Sequence, residues 1–299
     1  MLLVALCAMV VGAQAQGATR VVSLVPALTD MVLAIGGGPQ LAAVSSYDEA
    51  PEVKGLPRVG ALLDPDVERI ISLRPDLVLA YGSQTDLMTQ LRRASIPFYE
   101  YRHGGLANVT ATIRELGRRI GRSPQAETLA RSIESRVEAV RAKTAAVRKP
   151  RVMLVFGRER GTLRGIYVSG GRGFLHDMLE AAGGSNVFAD SQTESVQVSA
   201  ELILSRAPEV IIELRSTDMP SAAGHKLEID SWNALASVPA VRNKRVHLLL
   251  GKHLVVPGPL VADGVEELVR LLHPQLQVRS SGFEVRGSWF EVPGSGVRQ

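Results

Sequence analysis

The chain has 299 residues, 45% of them hydrophobic but only 4% aromatic, and a formal charge of +4 at pH 7. That length admits two domains of ordinary size, and an aliphatic, aromatic-poor interior suits packed α/β layers. The arginines are scattered without the aromatic interleaving that single-stranded nucleic acid binders use, so nucleic acid is set aside as a partner and the basicity points weakly to an anionic ligand.

Residues 1–15 of "MLLVALCAMVVGAQAQ" read as an export signal: Leu2 to Val11 is too short an apolar stretch to span a bilayer, and Ala13-Gln14-Ala15 is an A-x-A cleavage site. No basic residue precedes the stretch, which leaves open a start further upstream, or a membrane anchor instead. The only cysteine, Cys7, follows Leu6 where lipid attachment wants a small residue, so a lipoprotein is the lesser reading. Cleavage would remove every thiol, and with it disulfides and thiolate metal ligands. The expected location is the periplasm, and no later segment is a transmembrane candidate.

An N-terminal lobe over 21–122 opens with "VSLVPALTDMVLAIGG" (22–37), a strand end, a turn and an amphipathic helix stopped by glycines. Within it, "DVERIISLRPDLVL" (66–79) reads as a short helix, a proline-marked break and a buried strand. Next, 123–149 predicts one long helix with Ser123 as N-cap, Pro124 at the first helical position, an apolar stripe at Ala126, Leu129, Ala130, Ile133, Val137 and Val140, and Pro150 as its stop. At ~1.5 Å per residue it would extend roughly 35–40 Å, enough to link two lobes as a stiff connector.

A second lobe over 150–274 repeats the first. "SAELILSRAPEVII" (199–212) matches 66–79 position by position, Glu201 to Glu68, Ile203 to Ile70, Ser205 to Ser72 and Pro208 to Pro75, and "VSGGRGFLHDMLEAAGG" (168–184) matches 22–37 in the same order. Two pairs in register predict two similar Rossmann-like α/β lobes with a ligand cleft between them. Beyond Pro274, residues 275–299 carry no sustained period and read as a loose tail.

Taken together, the export signal, the "PRVGALLDPDVERIISLRPDLVLA" block, the central helix and "VSAELILSRAPEVII" resemble the periplasmic substrate-binding proteins of ABC importers for cobalamin and iron-siderophore or haem complexes, over about residues 20–274. The resemblance implies a non-catalytic monomer without an intrinsic cofactor that captures a metal chelate, cobalamin first and ferric siderophore second. It would deliver the chelate to a permease dimer driven by a cytoplasmic ATPase, with Glu68 and Glu201, one per lobe, docking onto permease arginines. An acidic residue in a helix's first turn also favours the macrodipole, so the repeat has an architectural reading too.

Ligand contacts belong in the loops at the carboxyl ends of the strands. Tyr47 and Tyr81 fall where cobalamin-binding relatives place aromatic rings, and the two should form opposite parts of one wall. Arg102 and His103 in "YRHGG", Arg158 and Arg172 (with Arg160 and Arg164) in "FGRERGTLRGIYVSGGRG", and Lys252 and His253 in "GKHLVVP" are the polar candidates. Many haem-binding relatives carry a tyrosine where this chain has Ala61, which leaves His103 and His253 as the possible axial ligands; no metal cluster is otherwise spaced. An α/β enzyme or chelatase-like scaffold is the competing class, but G-x-S-x-G, H-E-x-x-H, a P-loop and a complete G-x-G-x-x-G are all absent. A sensor module on the same fold is a third reading.

Overall fold

A computed structural model describes residues 17–216 and 222–276; the expected export signal and most of the expected tail lie outside them. The first lobe runs β1 (Val21–Ser23), α1 (Pro26–Ala34), β2 (Leu41–Val44), α2 (Val67–Ser72), β3 (Leu77–Tyr81), α3 (Thr85–Arg93), β4 (Phe98–Tyr101) and α4 (Leu106–Arg119). Its four strands are all parallel, in the order β2-β1-β3-β4. Helix α5 (Ser123–Thr144) crosses to the second lobe: β5 (Arg151–Gly157), β6 (Ile166–Ser169), α6 (Gly173–Ala181), β7 (Ser185–Asn186), β8 (Ser195–Val198), α7 (Ala200–Arg206), β9 (Val210–Arg215), α8 (Ala222–Asp230), α9 (Pro239–Arg242), β10 (Val246–Leu250), α10 (Lys252–Val255) and α11 (Val261–Leu272).

The second sheet departs from the expected plain repeat. Strands β10, β9, β5 and β7 are parallel, but β6 and β8 run antiparallel and extend the same sheet beyond β5. The 22–37 and 168–184 segments therefore share local grammar, each helix stopping at a glycine with φ of 76° (Gly36 and Gly183), while their strands occupy different places in their sheets.

The 66–79 and 199–212 segments are equivalent in detail. The Asp66 side chain accepts from Arg69 N–H at 3.0 Å and the Ser199 hydroxyl from Leu202 N–H at 3.3 Å, so both helices begin on a capped end. Ile70 and Ile203 are fully buried. Arg74 and Ala207 both take a left-handed backbone, φ 47° and 44°, immediately before the proline. The acid that follows clamps the start of its lobe's leading strand: Arg20 N–H donates to Asp76 at 2.8 Å and Arg151 N–H to Glu209 at 2.9 Å, and each acid's own N–H returns a bond to the same residue's carbonyl.

Strand alternation distributes the core into three parts. One face of each sheet (Val21, Leu77 and Leu79; Val152, Leu154, Val210 and Ile212) joins α1, α4, α5, α6 and α11 in a single cluster that runs through both lobes. The opposite faces (Val22, Val78 and Ala80; Met153, Val155 and Ile211) pack into two separate outer clusters. The stripe read from sequence is the buried stripe of α5: Ala126, Ala130, Ile133, Val137 and Val140 are buried there. Arg122, not Ser123, is the N-cap, and the helix ends at Thr144, six residues before Pro150. The buried Thr144 hydroxyl bonds the Val140 carbonyl at 3.1 Å and lies 3.2 Å from that of Ala181, so docking against α6 rather than proline chemistry sets the end.

Candidate functional site

The N-lobe wall is built at the carboxyl ends of its parallel strands. Tyr81 and Tyr101 are register partners on adjacent β3 and β4, and their rings meet edge-on with centroids 6.1 Å apart. His103, two residues past β4, lies 6.0 Å from the Tyr81 ring and 5.2 Å from that of Tyr101. Burial raises both phenols, and the nearby Asp48 carboxylate raises Tyr81 further, so Tyr81 stays a neutral hydrogen-bond donor.

Tyr47 stands 73% exposed on a turn that is itself rigid. Asp48 folds back so that its Oδ2 accepts from Ser45 N–H at 2.9 Å and lies 3.2 Å from the Thr29 hydroxyl on α1, while Arg58 donates to the carbonyls of Ser45 and Asp48 at 3.1 and 2.9 Å. Burial pushes the Asp48 carboxyl up from 3.8 to about 6, against the hydrogen bonds from Thr29 and Ser45. A raised carboxyl contributes stability that is full below its unfolded value and lost as pH climbs through the folded one, here a window from about pH 4 to 6 that is worth on the order of 2 kcal/mol. Asp48→Asn keeps the acceptor if Oδ1 takes the place of Oδ2. Urea unfolding of the variant should lose the wild-type decline across that window and be on the order of 2 kcal/mol more stable at pH 7.5. Parallel pH profiles for the two proteins would show that Asp48 ionises normally.

A buried glutamine shapes the next loop. Gln84 accepts from Tyr81 N–H at 3.0 Å and donates to the carbonyls of Ala61 and Leu62, both at 3.1 Å. Ala61 is thereby buried, and Leu63 projects 93% exposed beside it. The loop closes at Gly60, φ 80°, where a Cβ would sit 2.1 Å from the Asp64 carbonyl oxygen.

The C-lobe wall holds a pocket of about 240 Å³ lined by Phe156, Gly157, Arg160, Leu214, Arg215 and Val255. Arg158, a candidate from the sequence, also lines it. Its side chain has no exposure, ion-pairs with Glu213 and Glu228 at 2.8 Å each, and stacks over Trp232 at 5.5 Å. Arg215 joins the same carboxylates at 2.6 and 3.2 Å while remaining 17% exposed, so of the two arginines on these acids it is the more open to the pocket. Arg172 donates to Gln192 at 2.5 Å, and Arg164 pairs with Glu159 at 2.9 Å. Arg102 is exposed on the N-lobe rim, 3.8 Å from Glu100.

Lys252 and His253 lie where the lobes meet. Lys252 spans them to Glu49 at 3.0 Å, and the His253 ring contacts Glu267 at 2.6 Å. The Asp177 carboxylate on α6 accepts from Leu106 N–H, at the start of α4, at 2.9 Å. Among the described residues no three His, Cys, Asp or Glu side chains converge as a metal site, and no helix is long and apolar enough to cross a membrane.

The sequence profile of the Periplasmic binding protein family matches residues 21–251, through both lobes and the connector. The chain belongs to that family. It is 32% identical over 201 residues to the vitamin B12-binding protein of Yersinia pestis, 66% of this chain and 70% of that protein. Among solved structures it is similar to the periplasmic vitamin B12 binding protein BtuF of Vibrio cholerae, with TM-score 0.73 and 28% identity over 87% of this chain and 99% of that one. The apo periplasmic heme-binding protein RhuT of Roseiflexus sp. RS-1 gives TM-score 0.71 and 25% identity over 86% and 99%.

In this periplasmic binding protein the folded chain gathers Tyr81 and His103 into one cluster and places Tyr47 on the turn whose Asp48 acts on Tyr81. It pairs Arg158 with Glu213 and Glu228 and Lys252 with Glu49, and sets the His253 ring against Glu267. Sequence reasoning missed Asp48, Gln84, Tyr101 and Arg215. For Asp48 a signal was present, since Ser-x-x-Asp in "SSYDEAP" is a side-chain-capped turn pattern; nothing local marks Gln84, whose partners lie 22 and 23 residues earlier.

Proposed function

We propose that this protein captures a metal chelate in the periplasm, cobalamin in preference to a ferric siderophore, and hands it to an ABC permease dimer powered by a cytoplasmic ATPase. It acts as a monomer, without an intrinsic cofactor or catalysis. The observation that carries this reading is the cluster of Tyr81, Tyr101 and His103 rings at the ends of β3 and β4, with Tyr47 exposed on the turn after β2, because a large planar macrocycle is held by ring faces and edges. The vitamin B12-binding relatives support cobalamin as the ligand. Across the cleft Arg215, with Arg172 and Arg102 at the rims, offers guanidinium donors to carboxamide, phosphate or carboxylate groups. Glu68 and Glu201, each exposed in the first turn of its helix, dock on the permease.

Haem is the second reading, favoured by the His103 imidazole beside two tyrosines and by the heme-binding structural relatives, and weakened by Ala61. The deciding experiment mixes the protein with cobalamin, haem or a ferric siderophore, passes each through a desalting column and records the visible spectrum. Cobalamin should co-elute at about one equivalent; retention of none of the three would sink the proposal. Tyr47→Ala/Tyr81→Ala should weaken binding about 10- to 100-fold, each lost ring contact being worth on the order of 1 kcal/mol. Unchanged affinity by titration would remove both tyrosines from the site.

A further inference from the structure

A second cavity, separate from the tyrosine rim and larger than the C-lobe pocket, opens at the junction of the lobes. Its volume is about 480 Å³, within the range of small-molecule sites. The walls are aliphatic: Leu33 and Ala34 of α1, Leu129 and Ile133 of α5, and Val256 and Leu260 from the turn that follows α10. The N-lobe helix α1, the connector α5 and the turn after α10 thus contribute one face each, and none of the N-lobe rim aromatics lines the cavity.

The charges around this chamber are unevenly satisfied. Arg136 is committed to Asp263 at 2.7 Å and Glu266 at 2.9 Å, Lys252 to Glu49 at 3.0 Å, and His253 to Glu267 at 2.6 Å. On the opposite side Asp30 and, at the mouth, Glu52 line the cavity. Among the described residues neither carboxylate takes a hydrogen bond or an ion pair; Lys252 acts on Asp30 only through space. Burial raises the Asp30 carboxyl above its ordinary value, with the Glu52 charge adding to the effect. That is the behaviour of a half-buried carboxylate short of donors, and a cation seated beside it would reverse it. A chamber with aliphatic walls, paired basic side chains and, beside the exposed Glu52, one half-buried carboxylate without a partner is complementary to a molecule with an apolar body and one positive head.

We propose that this junction cavity is a second binding site, for a small aliphatic ammonium compound, with the ammonium on Asp30 and the hydrocarbon body against Leu33, Leu129 and Ile133. It lies apart from the tyrosine rim, although Lys252 and His253, read from the sequence as chelate contacts, line it, and it does not rest on which chelate the protein holds. The test is calorimetric titration of the full chain at pH 7.5 with cyclohexylmethylammonium and with its neutral counterpart cyclohexylmethanol. The ammonium should bind at least ~10-fold tighter than the alcohol, an increment of about 1.4 kcal/mol. Asp30→Asn should abolish that preference while leaving the alcohol's affinity in place, Ala34→Phe should remove both by filling the chamber, and Tyr47→Ala/Tyr81→Ala should change neither. Absence of binding, equal affinity for the two compounds, or an undiminished preference in Asp30→Asn overturns the proposal. So does a ~10-fold gain in ammonium affinity on deleting 277–299.

Discussion

Glu68→Ala/Glu201→Ala is expected to bind its chelate and melt as the wild type does, and to lose about 100-fold in uptake or in stimulation of the reconstituted transporter's ATPase. Both carboxylates are exposed, so they contribute only ~0–1 kcal/mol to folding. Across an interface the same groups fix orientation, and truncating a charge paired there costs 2 kcal/mol or more. Each single variant should fall about 10-fold, since the other lobe still docks. The hydrogen bond from the Ser199 hydroxyl lowers the Glu201 carboxyl, so it is ionised at any pH at which the transporter works. Normal uptake by the double variant, with both substitutions confirmed in the purified protein, would reduce the two acids to helix-start residues.

Arg158→Met should destabilise the protein by about 3–5 kcal/mol, the usual consequence of removing one partner from a buried ion network. Glu213 and Glu228 are 3% and 5% exposed and would keep Arg215, with the Trp232 indole N–H at 3.4 Å on Glu213 and the Gly161 N–H at 3.1 Å on Glu228. The Arg158 guanidinium also donates to the Thr162 and Glu228 carbonyls at 2.7 and 2.9 Å, so the loop between β5 and β6 and the end of α8 would lose a shared anchor. Urea unfolding followed by circular dichroism measures the effect, and a loss below about 1 kcal/mol would mean that water or Arg215 replaces the missing charge. Methionine fills most of the volume, so the cost reports the orphaned carboxylates rather than a cavity.

The difference between Arg158 and Tyr81 shows what a sequence can convey. Tyr81 ends an apolar run whose strand identity is visible locally, and the carboxyl-end rule then places it at the strand-end rim, where its ring meets Tyr101 and His103. Arg158 follows an equally clear strand, but its burial depends on Glu213 and Glu228, 55 and 70 residues away, and neither acid carries a local sign of pointing inward. The repeated segments were legible because a short helix, a proline break and a strand are settled within about ten residues, whereas the clamps from Asp76 to Arg20 and from Glu209 to Arg151 span 56 and 58 residues and were not legible. The antiparallel β6–β8 pair was not, since helix α6 and β7 separate its strands and 166–169 looks like any strand end. The early stop of α5 escaped for a related reason. Pro150 is a local signal, whereas the contact between Thr144 and Ala181 is tertiary.

The cluster that runs from Val21 through α5 to Leu272 ties the histories of the two halves together. The outer faces, packed on their own helices, are free to drift separately, and each lobe can change the surface it shows to a partner without consulting the other. The inner faces have no such freedom. A larger side chain at Ile133 presses on both halves at once, and a cut between Ala145 and Pro150 would release two pieces with bare apolar flanks that cling to each other rather than two separate domains. What was written as a repetition is inherited as a single body.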